Sequence, residues 1–311
     1  MLTYDKLKLT TEISNIKIKD KERFNKIVRN EKISSMMFTM SFPYSLSIKI
    51  DYIRNEAVLE FTGKILGKHY PQLISHETIN ECFENINRLG VCEIKADAMM
   101  NSKVVVCDPM KDIQYSDIPQ LSAYIRSNLV NHQKYICQVA RNGNLIISKN
   151  VMTKQYRKRL TIYDKHKEMS KSDNIAYQNL FGIDSSCFEG VCRFEMNLNS
   201  QAQIKDSLHI LNTTLYDVLY STANPIRDVL NDVLADEQHL PLTSKKSYES
   251  YLVLRDCDFD IEKVEMKMRG FYTSRGTSIK KIMQPYREVL IQMQDYKGRD
   301  MKQELLSLFA A

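Results

Sequence analysis

The chain has 311 residues, of which 43% are hydrophobic and 26% charged, and its formal net charge is +6. These values are ordinary for a globular protein, and the length predicts two domains. The small positive excess is compatible with a nucleic-acid partner without requiring one. The N-terminus is polar and no uninterrupted apolar run reaches membrane-spanning length, so we expect a cytoplasmic protein that neither enters a membrane nor is secreted.

The seven cysteines predict free thiols. They form no Cys-x-x-Cys pair, and their number is odd. Several lie within apolar runs, where cysteine behaves as a small buried hydrophobic residue. We therefore expect a reducing compartment, no disulfide framework and no cysteine-based zinc site.

The residue pattern divides the chain into three parts. Residues 1–44 are predicted as an N-terminal segment, since the first 40 are rich in Lys, Asn and Ser. Residues 45–201 are predicted as an α+β domain on an antiparallel sheet, because strand-like runs alternate with helical spacing. The strand-like runs are Ala57–Phe61, Val91–Ala96, Lys103–Val106, Tyr135–Val139, Leu145–Ser148, Arg159–Tyr163 and Val191–Leu198. Residues 202–311 are predicted as a helical C-terminal domain, because helical spacing replaces this pattern.

Alternation along these runs predicts one polar sheet face, since successive side chains of a strand point to opposite sides. The side chains expected together on that face are Glu60, Asp97, Tyr163, Arg193 and Glu195. Carboxylate oxygens suit a hard ion such as Mg²⁺ or Mn²⁺, so Asp97 and Glu195, with Glu60 third, are the candidate ligands. Such an ion would polarise a phosphate for attack by the Tyr163 phenolate.

Two plainer interpretations of these residues remain open. A solvent-facing strand face normally carries charged side chains, so the polar face alone does not require a site. Glu195 also has a structural alternative, which is an ion pair with Arg193 or Lys95.

The string Leu160-Thr-Ile-Tyr163-Asp-Lys165-His-Lys-Glu168 resembles the catalytic segment of the filamentous-phage gene II replication proteins and of related phage and plasmid rolling-circle initiators. That segment is an apolar strand ending in Tyr-x-Lys and followed by Glu at a helix start. The resemblance implies that Tyr163 forms the covalent link to DNA. Lys165 would favour its phenolate or stabilise the phosphate, because an isolated tyrosine has a pKa near ~10.

Three further segments resemble the same family in the same chain order. They are Val58-Leu-Glu60-Phe, Cys92-Glu-Ile-Lys95-Ala-Asp97-Ala and Val191-Cys-Arg193-Phe-Glu195. The chain departs from most rolling-circle nucleases because its six histidines form no His-x-His pair. The gene II type also lacks a clear pair, so the metal ligands are expected to be carboxylates.

The resemblance implies a replication initiator of a phage or plasmid, acting in the cytoplasm of a bacterial host. It would nick one strand of origin DNA, remain joined to the 5′ end and leave a 3′-OH primer for the host helicase and polymerase. A non-catalytic origin-binding regulator and a mobilisation relaxase with the same chemistry are the alternatives.

Basic residues predict two DNA-contacting surfaces. The first surrounds Tyr163 and comprises Lys95, Lys158, Arg159, Lys167 and Arg193. The second lies in the helical pattern from Ile261 to Met293, where Arg275, Lys280 and Lys281 are expected to meet duplex DNA. The alternatives are an ordinary basic hairpin for the first surface and helices that merely pack on the sheet domain for the second.

Overall fold

The computed structural model describes residues 2–309, except for 30, 116, 130–132, 152, 154–157, 235–241, 243, 272–277 and 295–300. The chain forms two compact units. The first comprises residues 1–234 together with 306–311, and the second comprises residues 235–305. No helix of the described residues is long and apolar enough to cross a membrane.

The first unit is an α+β fold built on a large antiparallel sheet, as the sequence predicts. Its strands are β1 (Thr3–Glu12), β2 (Ile16–Ile18), β3 (Asn25–Arg29), β4 (Lys32–Met40), β5 (Leu46–Asp51), β6 (Glu56–Thr62), β7 (Cys92–Ile94), β8 (Lys103–Gln114), β9 (Tyr135–Val139), β10 (Leu145–Lys149), β11 (Arg159–Asp164) and β12 (Val191–Asn197). Ten of these described strands form one sheet in the order β3-β4-β5-β6-β1-β8-β12-β11-β10-β9. The short strands β2 and β7 pair separately.

Helices surround this sheet and form most of the second unit. They are α1 (Ile79–Arg88), α2 (Ala96–Met99), α3 (Ile118–Ser127), α4 (Lys165–Met169), α5 (Ser172–Phe181), α6 (Gln201–Leu208), α7 (Leu215–Leu219), α8 (Pro225–Val233), α9 (Lys245–Asp256), α10 (Ile261–Phe271), α11 (Ile279–Gln294) and α12 (Met301–Ser307). A 3₁₀ segment, Gly63–Gln72, follows β6.

The sheet has one apolar face because hydrophobic residues alternate along its strands. Leu160 and Ile162 of β11 are each 1% exposed, and Phe194 of β12 is fully buried. Helices cover this face: the Phe61 ring meets Phe83 of α1 with centroids 6.2 Å apart. Burying such side chains contributes roughly 1.5–3 kcal/mol each, so the alternation fixes which face of the sheet points inward.

The structure corrects the predicted boundaries. Residues 1–44 are not a separate segment, because β1 lies in the middle of the sheet between β6 and β8. Helices α6, α7 and α8 belong to the first unit rather than to a C-terminal domain. The boundary therefore falls after Leu234 and not after residue 201, since the apolar sheet face needs these helices as its cover.

The second unit has a small core of its own. Helices α9, α10 and α11 pack around a shared apolar cluster, in which Leu254, Val264 and Met283 are buried. Four residues, Cys257 to Asp260, connect α9 to α10, and Asp258 and Phe259 there have positive φ angles of 56° and 57°.

Candidate active site

Strands β11 and β12 bring Tyr163 and Glu195 together. In the antiparallel register Tyr163 lies opposite Arg193, and Thr161 lies opposite Glu195. The Tyr163 hydroxyl donates a hydrogen bond to Glu195 Oε2 over 2.9 Å. The predicted juxtaposition of this tyrosine and this carboxylate on one face is therefore present.

The Tyr163 phenol is neutral in this arrangement. Burial raises its pKa well above the ordinary value, and the negative charge of Glu195 raises it further, whereas Arg193 lowers it. A group that accepts the phenolic proton is needed before the oxygen can attack.

Glu195 is placed to accept that proton. Burial raises its pKa, and the negative charges of Asp5 and Asp108 raise it further, against the opposing effects of the Tyr163 hydrogen bond and Arg193. Its other oxygen accepts a hydrogen bond from the Asn197 amide over 3.3 Å. The ion pair with Arg193 or Lys95 that the sequence left open is not what holds this carboxylate.

Arg193 is a buried structural cation and not a DNA contact, which corrects the expectation for this residue. Its side chain is 1% exposed because β12 lies inside the sheet. Nε and Nη2 donate to the two Asp112 oxygens, both over 2.7 Å, and Nη1 donates to Asp5 Oδ1 over 3.2 Å. This bidentate pairing compensates the cost of burying the guanidinium.

Lys165 reaches the site from a helix start. Strand β11 ends at Asp164, whose carboxylate caps α4, so Lys165 is not an extension of the Tyr163 strand. Its Nζ is buried, donates to Glu168 Oε2 over 2.7 Å and lies 6.0 Å from the centroid of the Tyr163 ring. Burial alone would lower the pKa of Lys165, but nearby Tyr70 and Glu168 outweigh it and the pKa is raised, so the ammonium stays charged.

Two carboxylates of the site, Asp5 and Asp108, are absent from the sequence-based prediction. Asp108 is 5% exposed, and its Oδ1 has no hydrogen-bond partner in the described part of the chain. Burial raises the pKa of Asp108 against the opposing effects of the Asn197 amide and Lys6. Both residues lie where alternation is interrupted. Asp5 is at a register irregularity between Tyr4 and Lys6 in β1, and β8 is buried on both faces from Cys107 to Met110, so strand patterning gives no clear signal for either residue.

Glu60 and Asp97 have other environments. Glu60 is engaged by two lysines of β1, with Lys8 Nζ at 3.0 Å and Lys6 Nζ at 3.8 Å. Asp97 lies in α2, because β7 ends at Ile94 and pairs with β2 outside the large sheet. The expectation that Asp97 shares the Tyr163 face is therefore wrong. Lys95, just before α2, is not on that face either.

The remaining basic candidates are spread over several surfaces. Arg159 lies beside the site and donates to Asn197 Oδ1 through Nε and Nη2. Lys158 pairs with Asp206 of α6, whereas Lys167 is exposed on α4. Lys280 and Lys281 are exposed in the first turn of α11. Arg275 falls outside the described residues.

The carboxylates suit a divalent cation in donor type and charge but are not arranged as a coordination shell. Within the described ranges, no group of three or more His, Cys, Asp or Glu side chains is placed to hold a metal ion. Asp5, Asp108 and Glu195 nevertheless share excess negative charge, and oxygen donors are what Mg²⁺ and Mn²⁺ prefer.

Comparison of the chain with protein-family models, with curated proteins and with solved structures gives no match. A half-buried phenol bonded to a carboxylate, with a charged lysine beside its ring, can generate an oxygen nucleophile and stabilise an anion.

Proposed function

We propose that the chain is a DNA-nicking enzyme that starts rolling-circle replication, with Tyr163 as its nucleophile. The observation that supports this function most directly is the 2.9 Å hydrogen bond from Tyr163 to Glu195. The bond gives the phenol an acceptor whose pKa is raised, which is the arrangement that proton transfer from the attacking oxygen requires. The Tyr-x-Lys resemblance to the gene II proteins supplies the class of substrate.

The reaction follows from these groups. Glu195 takes the phenolic proton, and Tyr163 Oη attacks a phosphodiester phosphorus of single-stranded DNA. A bond forms between Oη and phosphorus while the bond from phosphorus to the 3′ oxygen breaks. The 3′ oxygen leaves with the electron pair and gains a proton from solvent, which leaves a 3′-OH and a 5′-phosphotyrosine. The Lys165 ammonium stabilises the negative charge that develops near Tyr163.

We include a divalent cation, Mg²⁺ or Mn²⁺, in this proposal. Asp108 and Glu195 are the residues that would contact it, in place of the set with Asp97 and Glu60, because Asp5 Oδ1 is bonded to Arg193. The described residues form no complete coordination shell. When bound, the ion would supply charge neutralisation at the phosphate. Asp108 Oδ1 has no hydrogen-bond partner among the described residues and is the oxygen that could meet such an ion, whereas Oδ2 lies 3.7 Å from Lys6 Nζ.

The second unit is proposed to contact duplex origin DNA. Two of its α10 cations are paired within the unit, since Lys263 bonds to Asp258 and Arg269 to Glu265, whereas Lys267 is exposed. Lys280, Lys281 and Arg287 of α11 are exposed. None of these three forms an ion pair with the residues that the structure describes. We therefore centre the proposed duplex-contacting surface on α11.

The experiment that tests nicking uses single-stranded oligonucleotides of random sequence, incubated with the protein and Mg²⁺ or Mn²⁺. A 3′-end label should remain on the protein under denaturing conditions, whereas a 5′-end label should appear on a shorter free fragment. Sequencing the attached DNA would give the preferred site. Absence of any adduct, with DNA binding retained, would favour the non-catalytic regulator.

A mobilisation relaxase would give the same adduct. The two roles separate in a cell that carries the preferred site on a plasmid without another origin. Replication of that plasmid, dependent on Tyr163, supports the initiator. Conjugative transfer without replication supports the relaxase.

A further inference from the structure

Tyr70 is a second buried tyrosine beside the candidate site. It lies in the 3₁₀ segment Gly63–Gln72 and is 3% exposed. Its ring packs edge-on against Tyr177, with centroids 5.6 Å apart and planes at 80°. Phe188 contacts it from another side. Ring packing alone therefore accounts for an aromatic residue here but not for its hydroxyl group.

The Tyr70 hydroxyl oxygen connects two cations. It accepts a hydrogen bond from Lys165 Nζ over 2.8 Å and a longer one from Arg193 Nη1 over 3.5 Å. These two side chains flank Tyr163, since Lys165 lies over its ring and Arg193 lies opposite it in the sheet. A buried hydroxyl costs free energy unless it is bonded, and both of these donors belong to the site.

We propose that Tyr70 is a positioning residue whose hydroxyl group holds the Lys165 ammonium beside Tyr163. The geometry alone supports the hydrogen bond that holds Lys165, whereas the effect on cleavage rests on the proposed nicking function. Lys165 Nζ lies 5.3 Å from the Tyr70 ring centroid and 6.0 Å from that of Tyr163, so it is held between the two rings.

Loss of the hydroxyl would leave Lys165 with one partner, Glu168, which lies three residues further along the chain in α4. The ammonium would then move with the Glu168 carboxylate, and less positive charge would lie near the Tyr163 oxygen. Arg193 would change less, because Asp112 holds it through two hydrogen bonds of 2.7 Å. The negative charge that develops at the phosphate during attack would therefore be less well stabilised.

The test compares Tyr70→Phe with Tyr177→Phe. Both substitutions keep the ring in the same apolar cluster, and both remove a bonded hydroxyl, since Tyr177 donates to the Lys64 carbonyl over 2.8 Å. Only Tyr70 contacts the cations. We expect adduct formation at saturating DNA to fall about tenfold in Tyr70→Phe and to stay near wild type in Tyr177→Phe.

A second readout does not depend on cleavage. Proteins labelled with ¹⁵N-lysine would be examined by NMR, and the Lys165 Nζ signal would be assigned with Lys165→Gln. A buried, hydrogen-bonded ammonium exchanges its protons slowly, so this signal should weaken or shift in Tyr70→Phe alone. An unchanged Lys165 signal in Tyr70→Phe, or equal changes and equal rate losses in the two variants, would overturn the positioning role. A changed Lys165 signal together with a wild-type protein that forms no adduct would instead overturn the nicking function and leave the positioning role standing.

Discussion

Tyr163 donates its hydroxyl hydrogen to Glu195 across one step of sheet register, because Thr161 and not Tyr163 is the direct neighbour of Glu195. The direct neighbour of Tyr163 is Arg193, whose guanidinium forms ion pairs with Asp112 and Asp5. This diagonal contact lies within reach of long side chains on adjacent strands. It leaves the phenol next to a base rather than next to a free cation.

Replacing Tyr163 by Phe should abolish the covalent adduct, with a loss of more than about 10³-fold in cleavage, because the attacking oxygen is removed. Binding of single-stranded DNA should stay nearly unchanged, since the ring remains. Denaturing gels and peptide mapping of the adduct check this. Tyr135→Phe is the matched control: it also removes a strand tyrosine hydroxyl bonded to a carboxylate, that of Asp232. Mapping of the adduct to any other tyrosine would refute the assignment.

Replacing Glu195 by Gln should slow adduct formation by about 10²–10⁴-fold, the usual contribution of a general base. Wild-type activity should fall as the pH drops through the pKa of Glu195. That limb should lie above the range of an ordinary glutamate, because burial and the charges of Asp5 and Asp108 raise this pKa. Rates measured from acid to neutral pH in both proteins check this. An identical acid limb in the variant would exclude Glu195 as the base.

The same variant should be more stable than wild type at neutral pH. A carboxyl group whose pKa is raised on folding binds its proton more tightly in the native state. Native stability therefore falls as the pH rises from the unfolded pKa through the folded one, and removing the charge removes that cost. Thermal unfolding at pH 7 and at acid pH measures this, and the gain should shrink at acid pH. A lower melting temperature at pH 7 would mean that the ionised carboxylate stabilises the fold.

The sequence predicts most of the strands around Tyr163 correctly. The predicted run Tyr135–Val139 has the bounds of β9, and the Tyr163 and Val191 runs differ from β11 and β12 by one residue at an end. The β11 and β12 runs have a clear alternation between apolar and polar residues, which depends little on the rest of the chain. The pairing of Tyr163 with Glu195 follows from two such runs being neighbours.

The sequence does not predict Asp5 and Asp108, for two physical reasons. Composition led residues 1–44 to be treated as an irregular segment, although Leu7 and Leu9 alternate with polar residues in β1. The predicted run Lys103–Val106 ends before Pro109, a residue that cannot donate a ladder hydrogen bond. The strand continues because Pro109 lies opposite Tyr4, next to a register irregularity in β1 that accommodates the missing donor. Such a compensation depends on the partner strand and is invisible in β8 alone.

Asp108→Asn and Asp97→Asn should separate the two metal-ligand sets. We expect Asp108→Asn to lower nicking by about 10-fold or more and to raise the Mn²⁺ concentration needed for half-maximal rate, because a buried carboxylate of the site is lost. Asp97→Asn should leave both quantities unchanged, since α2 lies outside the large sheet. Metal titrations after EDTA treatment check this. Full nicking in excess EDTA would exclude the cation, and the reverse order of the two variants would restore Asp97 as a ligand.

The last prediction concerns duplex binding by α11. The triple charge removal Lys280→Gln, Lys281→Gln and Arg287→Gln should weaken binding of duplex DNA that contains the preferred nick site. It should also reduce the slope of log affinity against log salt by up to about 3, because each phosphate contact releases close to one counterion. Cleavage of a short single-stranded oligonucleotide should stay at the wild-type rate. Lys263→Gln with Arg269→Gln in α10 is the control, because these cations already bond to Asp258 and Glu265. Equal salt slopes in the wild type and the triple variant would eliminate α11 as the duplex contact, and a larger effect of the α10 pair would assign that contact to α10 instead.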